Sequence, residues 1–127
     1  MKTIIVADDS SIILNVAKKA FDGEYNVVGA ANGEEAIKYI ETNNLSDVVG
    51  MLLDLNMPKV DGYQVLDYLK TRNLFKTVPV SIITGEDDME NISKAFEYPI
   101  IDVLKKPFTI DNVRKIIEKT ISISEIN

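Results

Sequence analysis

From Val48 to Leu53 the chain runs Val-Val-Gly-Met-Leu-Leu without a polar side chain and then meets Asp54. A strand with one wet face alternates polar and apolar residues. A run without alternation is buried on both faces, as in the middle of a parallel sheet sandwiched between helices. Two other apolar runs end in charge: Ile4-Ile5-Val6-Ala7 in Asp8-Asp9, and Ile100-Ile101-Asp102-Val103-Leu104 in Lys105-Lys106-Pro107. If the three strands are parallel, these charges meet at one sheet edge. Two carboxylates about 4 Å apart repel by roughly 4 kcal/mol at an effective dielectric near 20, so the edge calls for a divalent cation with oxygen ligands. A hard metal, an aspartate nucleophile and a lysine able to hold a phosphoryl oxygen are the parts of a phosphotransfer site.

Strand-like runs alternate with amphipathic segments five times over the 127 residues, the pattern of a doubly wound α/β domain. Strands are predicted near 3–7, 25–30, 48–53, 79–83 and 100–104, and helices near 11–21, 33–43, 62–72, 88–97 and 110–121. Ile13, Ala17, Ala20 and Phe21 share a helix face behind a possible cap at Ser10; Ile110, Val113, Ile117 and Ile121 do so behind Thr109. The expected fold is a single five-stranded parallel sheet, order 2-1-3-4-5, flavodoxin-like, with helices on both faces. Its switch point, where ligands bind, then lies between strands one and three, beside Asp8-Asp9 and Asp54. Residues 1–127 read as one domain of a size that supports one core, and the tail from about 121 lacks a stop signal, as if leading to an output domain.

Composition narrows the chemistry. A net charge of −6 disfavours approach to nucleic acid or anionic lipid, and no apolar run approaches a membrane span, so a cytoplasmic location is the default expectation. There is no cysteine, which excludes disulfides and thiolate chemistry. There is also no histidine, which excludes triad hydrolysis and histidine-bound metals. If a histidine takes part, a partner brings it.

An aspartate after a strand is commonly a cap or a solvated loop residue, Asp8-Asp9 could supply only first-turn charge, and Lys106-Pro107 could be a surface turn. Their joint placement at the ends of strands one, three and five, with Thr84-Gly85 ending strand four, points beyond those readings. The chain resembles a response-regulator receiver domain of two-component signalling from Lys2 to about Thr120. The resemblance rests on Asp8-Asp9, the loop Asp54-x-x-Met57-Pro58-x-x-Asp61-Gly62, Thr84-Gly85 and Lys106-Pro107-Phe108, with Thr84 30 and Lys106 52 residues beyond Asp54. Lys106 is favoured over Lys105 because the family's lysine directly precedes proline.

The resemblance implies that Asp54 is a phospho-acceptor, taking a phosphoryl group from the histidine of a sensor kinase or histidine phosphotransfer protein. Asp8, Asp9, Asp54 and the Asn56 backbone carbonyl would hold Mg²⁺; Lys106 and Thr84 would contact phosphoryl oxygens. It further implies a cis Lys106-Pro107 bond, and a conformational shift of the face made by the fourth helix, fifth strand and fifth helix, read by an output domain or protein. Such a chain is a signalling switch rather than a turnover enzyme. Asn56 and Glu86 resemble the chemotaxis regulators at positions that affect acyl-phosphate hydrolysis.

Two features depart from the family. Val103 occupies the place of an aromatic switch residue, and the turn before strand five lacks the usual glycine-alanine pair. Tyr98 is a substitute reporter or, alternatively, a half-buried residue capping the sheet edge. The stretch Ala95-Phe96-Glu97 with 101–108 resembles receivers fused to cyclic-dinucleotide enzymes; a free-standing receiver fits equally. Two other functional classes stay open. One is a phosphorylation-independent interaction module, which the full set of site residues disfavours. The other is an aspartyl-nucleophile phosphatase, disfavoured because Asn56 stands where such enzymes carry a second aspartate.

Overall fold

The computed structural model describes the backbone of residues 1–126, and their side chains except at 86–91 and 124–126. Five strands, β1 (Thr3–Ala7), β2 (Asn26–Ala30), β3 (Val48–Asp54), β4 (Val80–Thr84) and β5 (Val103–Lys105), form one parallel sheet in the order β2-β1-β3-β4-β5. This is the expected flavodoxin-like topology. Between them lie α1 (Ser11–Ala20), α2 (Gly33–Thr42), α3 (Gly62–Thr71) and a 3₁₀ helix (Glu86–Glu97), with α4 (Ile110–Ile126) last.

Alternation along the strands feeds two cores. Ile4 and Val6 of β1, Leu52 of β3 and Ile83 of β4 pack with Ala17 and Phe21 beside α1 and with Val113 and Ile117 of α4. Ile5, Ala7, Met51, Leu53 and Ile82 point to the opposite face and pack with Ala36 and Ile40 of α2 and Val65, Leu66 and Leu69 of α3. Both faces of β3 are therefore covered, as its unbroken apolar run requires. The register puts Leu53 beside Ala7 and Asp54 beside Ile83, so Asp8 and Asp54 emerge from adjacent strands at one edge.

Helix starts follow their caps. Ser10 Oγ accepts from the Ile13 N–H and Asn32 Oδ1 from the Glu35 N–H, while Asp61 and Gln64 form a reciprocal capping box ahead of α3. Thr109 and Asn112 exchange the corresponding bonds before α4. On α4, however, Ile110 is 43% exposed and Ile116 takes the buried place beside Val113 and Ile117. Ile110 sits in the first turn, and α4 runs on to Ile126 rather than ending near 121.

The expected α-helix at 88–97 is instead a 3₁₀ helix over Glu86–Glu97. Gly85 provides no side-chain cap, and the end is tightened by an i→i−3 bond from the Tyr98 N–H to the Ala95 carbonyl before Pro99. Strand five is also shorter than the expected 100–104. The Ile100 N–H bonds back to the Tyr98 carbonyl at 2.8 Å, and Asp102 Oδ1 accepts from the Val103 N–H, so regular pairing starts only at Val103. Ile101 still donates to the Val80 carbonyl ahead of the strand proper.

Candidate functional site

Asp8 continues β1 for one residue and is held there by its own N–H, which donates to the Ala30 carbonyl at 2.9 Å. Its Oδ1 accepts from the Ser10 N–H at 2.9 Å, a local turn that orients the carboxylate toward the sheet edge. Asp54 ends β3, and its Oδ1 accepts from the Asn56 N–H at 3.1 Å in the same kind of turn. Asp8 is fully buried, Asp54 is 2% exposed and Asp9 lies at the surface. One carboxylate oxygen from each of Asp8, Asp9 and Asp54 falls within 4.8 Å of the others.

Lys106 follows β5 and reaches into this cluster. Its Nζ lies 3.0 Å from Asp8 Oδ2 and 3.2 Å from Asp54 Oδ2, bridging the two buried carboxylates. The following Lys106-Pro107 bond is cis. Lys105 is exposed, so of the two lysines Lys106 is the one turned into the site. The Lys106 N–H donates to the Thr84 carbonyl at 2.7 Å, which joins the ends of β4 and β5. Thr84 is buried and follows Ile83, the partner of Asp54, but its hydroxyl donates to the Gly85 carbonyl at 3.2 Å.

The β3–α3 loop that carries Asn56 is closed on itself. The Gly62 N–H donates to the Leu55 carbonyl at 3.1 Å, and a Cβ at Gly62 would stand 2.6 Å from Leu55 Cα and overlap the Asp54 carbonyl. Only glycine permits that approach. Met57 and Leu55 of this loop are buried in the core, and Asn56 between them is exposed.

Burial pushes the Asp54 carboxyl from 3.8 up to about 6; the Asn56 N–H opposes this, the Asp8 charge adds to it, and Lys106 opposes it again. Burial alone would lower the Lys106 ammonium, but the Asp8 and Asp54 carboxylates outweigh it and hold its pKa above the usual lysine value. Asp8 Oδ2 is buried, with the Lys106 ammonium 3.0 Å away as its partner. Three converging carboxylates, two of them buried and sharing one ammonium, are a donor set suited to a hard divalent cation. The residues present thus fit a metal of the Mg²⁺ class.

The sequence-derived residues Asp8, Asp9, Asp54 and Lys106 are brought together, and Thr84 ends the neighbouring strand. Glu86 has its side chain outside the described residues. Sequence reading missed the Ser10 and Asn56 N–H donors, although a polar residue two positions after an aspartate is a signal for such turns. At Val103 the side chain is half-buried against the core on the α2 and α3 side, and Tyr98 is 9% exposed, packed 6.2 Å from the Phe75 ring with its hydroxyl donating to Asp67 Oδ1. Tyr98 therefore ties the loop before β5 to α3. An open groove at the N-terminal ends of β4 and β5, lined by Lys70, Phe75, Pro79 and Ile101, lies at the opposite end of the strands from the acidic cluster. Among the described residues, no helix is long and apolar enough to cross a membrane.

Comparison with known proteins shows the family. The chemotaxis protein CheY1 of Helicobacter pylori strain J99 is 29% identical over 108 residues, covering 84% of this chain and 86% of that protein. The alkaline phosphatase synthesis transcriptional regulatory protein PhoP of Bacillus subtilis is 30% identical over 125 residues, 98% of this chain. The chain spans about half the length of that relative. The crystal structure of a response regulator receiver domain protein from Clostridium thermocellum superposes with a TM-score of 0.83 at 28% identity, covering 99% of this chain and 98% of that one. Residues 4–118 match the response regulator receiver domain family, and the chain belongs to that family of two-component signalling domains.

Proposed function

We propose that this chain is a phosphorylation-controlled switch in which Asp54 accepts a phosphoryl group from the phosphohistidine of a sensor kinase or histidine phosphotransfer protein. What carries the reading is the convergence of Asp8, Asp9 and Asp54 within 4.8 Å, with Lys106 bridging the buried pair. Asp54 attacks phosphorus through a carboxylate oxygen, the phosphorus–nitrogen bond breaks, and the leaving imidazole keeps the electron pair. The product is an acyl phosphate on Asp54. At pH 7 the carboxyl, pushed to about 6, is mainly ionised, so no general base is needed and the absence of histidine from the chain is no handicap.

Mg²⁺, when bound by Asp8, Asp9, Asp54 and the Asn56 carbonyl, would neutralise charge on the transferring group. Lys106 holds a second phosphoryl oxygen as a point charge in exchange for its present pairing with Asp54. Thr84 donates to a third oxygen by turning its hydroxyl away from the Gly85 carbonyl. That turn, together with movement of Lys106, reaches β5 through the Thr84–Lys106 backbone bond. The face of the 3₁₀ helix, β5 and α4 thereby shifts between two arrangements for an output domain or protein to read. The chain acts as a signalling domain in a cytoplasmic pathway, catalysing at most its own phosphorylation and dephosphorylation.

Acetyl phosphate labelled on phosphorus, supplied with Mg²⁺, should label the wild type and leave Asp54→Asn unlabelled. Beryllofluoride with Mg²⁺ should shift the amide resonances of β5 and α4 in the wild type only. Equal labelling of Asp54→Asn would overturn the assignment.

A further inference from the structure

The turn between β2 and α2 touches both loops that carry the acidic cluster. At its start the Ala30 carbonyl accepts from the Asp8 N–H at 2.9 Å; at its end the Gly33 N–H donates to the Val60 carbonyl at 2.9 Å. The turn is itself braced, because Asn32 Oδ1 accepts from the Glu35 N–H and the Glu35 carboxylate accepts from the Ala31 N–H. Val60 lies in the loop that begins at Asp54, and the Gly62–Leu55 bond closes that loop. Val60 and Asn56 thus belong to one closed loop that starts from Asp54.

Gly33 packs against this loop at a distance no other residue allows. A Cβ there would stand 2.7 Å from Val60 Cγ1 and closer still to the Val60 carbonyl oxygen. The side chain of Val60 could rotate away, but its carbonyl belongs to the backbone, so the loop itself would have to retreat. Retreat would bear on Asn56, which this loop carries, while Asp8 stays held by the Ala30 carbonyl and Asp54 by its place in β3.

We propose that the Ala30–Gly33 turn sets the spacing of the cation site and that Gly33 is its positioning residue, because its missing side chain fixes how far the Asp54 loop stands from the Asp8-Asp9 loop. The inference rests on the reading of the acidic cluster as a Mg²⁺ site. Groups behind metal ligands typically alter affinity by about 10–100-fold when changed, through the geometry of the ligands and not their identity.

The test is Mg²⁺ titration by calorimetry on wild type, Gly33→Ala, Val60→Gly and Ile40→Ala, with amide spectra of each metal-free protein. Ile40 is buried on α2, so its truncation lowers stability while leaving the Gly33–Val60 backbone contact itself in place. Gly33→Ala should bind about tenfold more weakly, with Asn56 and Asp8 amides shifted before metal is added. Val60→Gly, which loosens the same contact without inserting an atom, should also bind more weakly, and Ile40→Ala should bind like wild type. If Gly33→Ala does not fold, unchanged affinity in Val60→Gly overturns the proposal. Equal affinity in Gly33→Ala and wild type overturns it too, as does an equal loss in Ile40→Ala. A wild type that binds no Mg²⁺ overturns the underlying site reading as well.

Discussion

The Tyr98 hydroxyl donates to Asp67 Oδ1 of α3, 31 positions away in the chain, while the Lys70 ammonium lies 5.7 Å from the centre of the same ring. The bond to Asp67 is the main reason the phenol is pushed up to about 12, with burial second. A folded pKa above the unfolded value means the contribution to stability is complete below about pH 10 and is lost as pH rises toward 12. Tyr98→Phe should be less stable than wild type by about 1 kcal/mol at pH 8. The gap should close in urea unfolding series carried above pH 10, where only the wild type titrates at this position. A Tyr98→Phe variant as stable as wild type at pH 8 would show that the ring, and not the hydroxyl, anchors the loop.

Asp54 in the metal-free protein follows the same sign. Its folded pKa near 6 exceeds 3.8, so protonation favours the fold, and this contribution is present below about pH 4 and lost as pH rises through 6. Asp54→Asn, which cannot ionise, should be more stable than the metal-free wild type at pH 7, by at most about 3 kcal/mol. The advantage should vanish by pH 4. Denaturant midpoints of both proteins in EDTA at the two pH values measure it.

Mg²⁺ should raise wild-type stability at pH 7.5 by about 1.4 kcal/mol at ten times its Kd, and should leave Asp54→Asn little changed. Melting curves with and without the metal, and with EDTA added back, report the effect. No rise in the wild type would count against cation binding.

Lys106→Met removes the cation shared by Asp8 and Asp54 and leaves two buried carboxylates facing each other. Breaking a fully buried ion pair costs about 3–5 kcal/mol, but Lys106 is 28% exposed, so a loss of about 1–2 kcal/mol is expected at pH 7. Because protonation relieves the repulsion, the loss should shrink toward pH 5. Labelling by acetyl phosphate should fall at least about tenfold with the loss of one phosphoryl contact.

Ser81 of β4 and Thr120 of α4 share a buried hydroxyl contact of 2.6 Å, and Thr120 Oγ1 also donates to the Ile116 carbonyl. Thr120→Val should cost about 1–3 kcal/mol by stranding the Ser81 hydroxyl. The double variant Ser81→Ala with Thr120→Val should recover part of that loss. A denaturant double-mutant cycle gives the coupling, and strict additivity would show that the pair does not interact.

Sequence by itself determined the sheet and which strand ends carry charge, while the strand order was expected as the commoner one for five strands and is the one observed. Apolar runs of strand length, with no alternation at Val48–Leu53, admit only a covered parallel sheet, and parallel strands put Asp8, Asp54 and Lys106 on one edge. Caps such as Ser10 and Thr109 were equally legible because their bonds are local. Tertiary structure alone decided what depends on through-space distance. It brought Gly33 against the Val60 backbone and joined Tyr98 to Asp67. It also turned the expected fourth α-helix into a 3₁₀ helix and shortened β5. Periodicity reports which face of a segment is buried, but not how closely two backbones approach or which hydrogen-bond spacing a helix adopts under packing. Those are settled only when the elements meet.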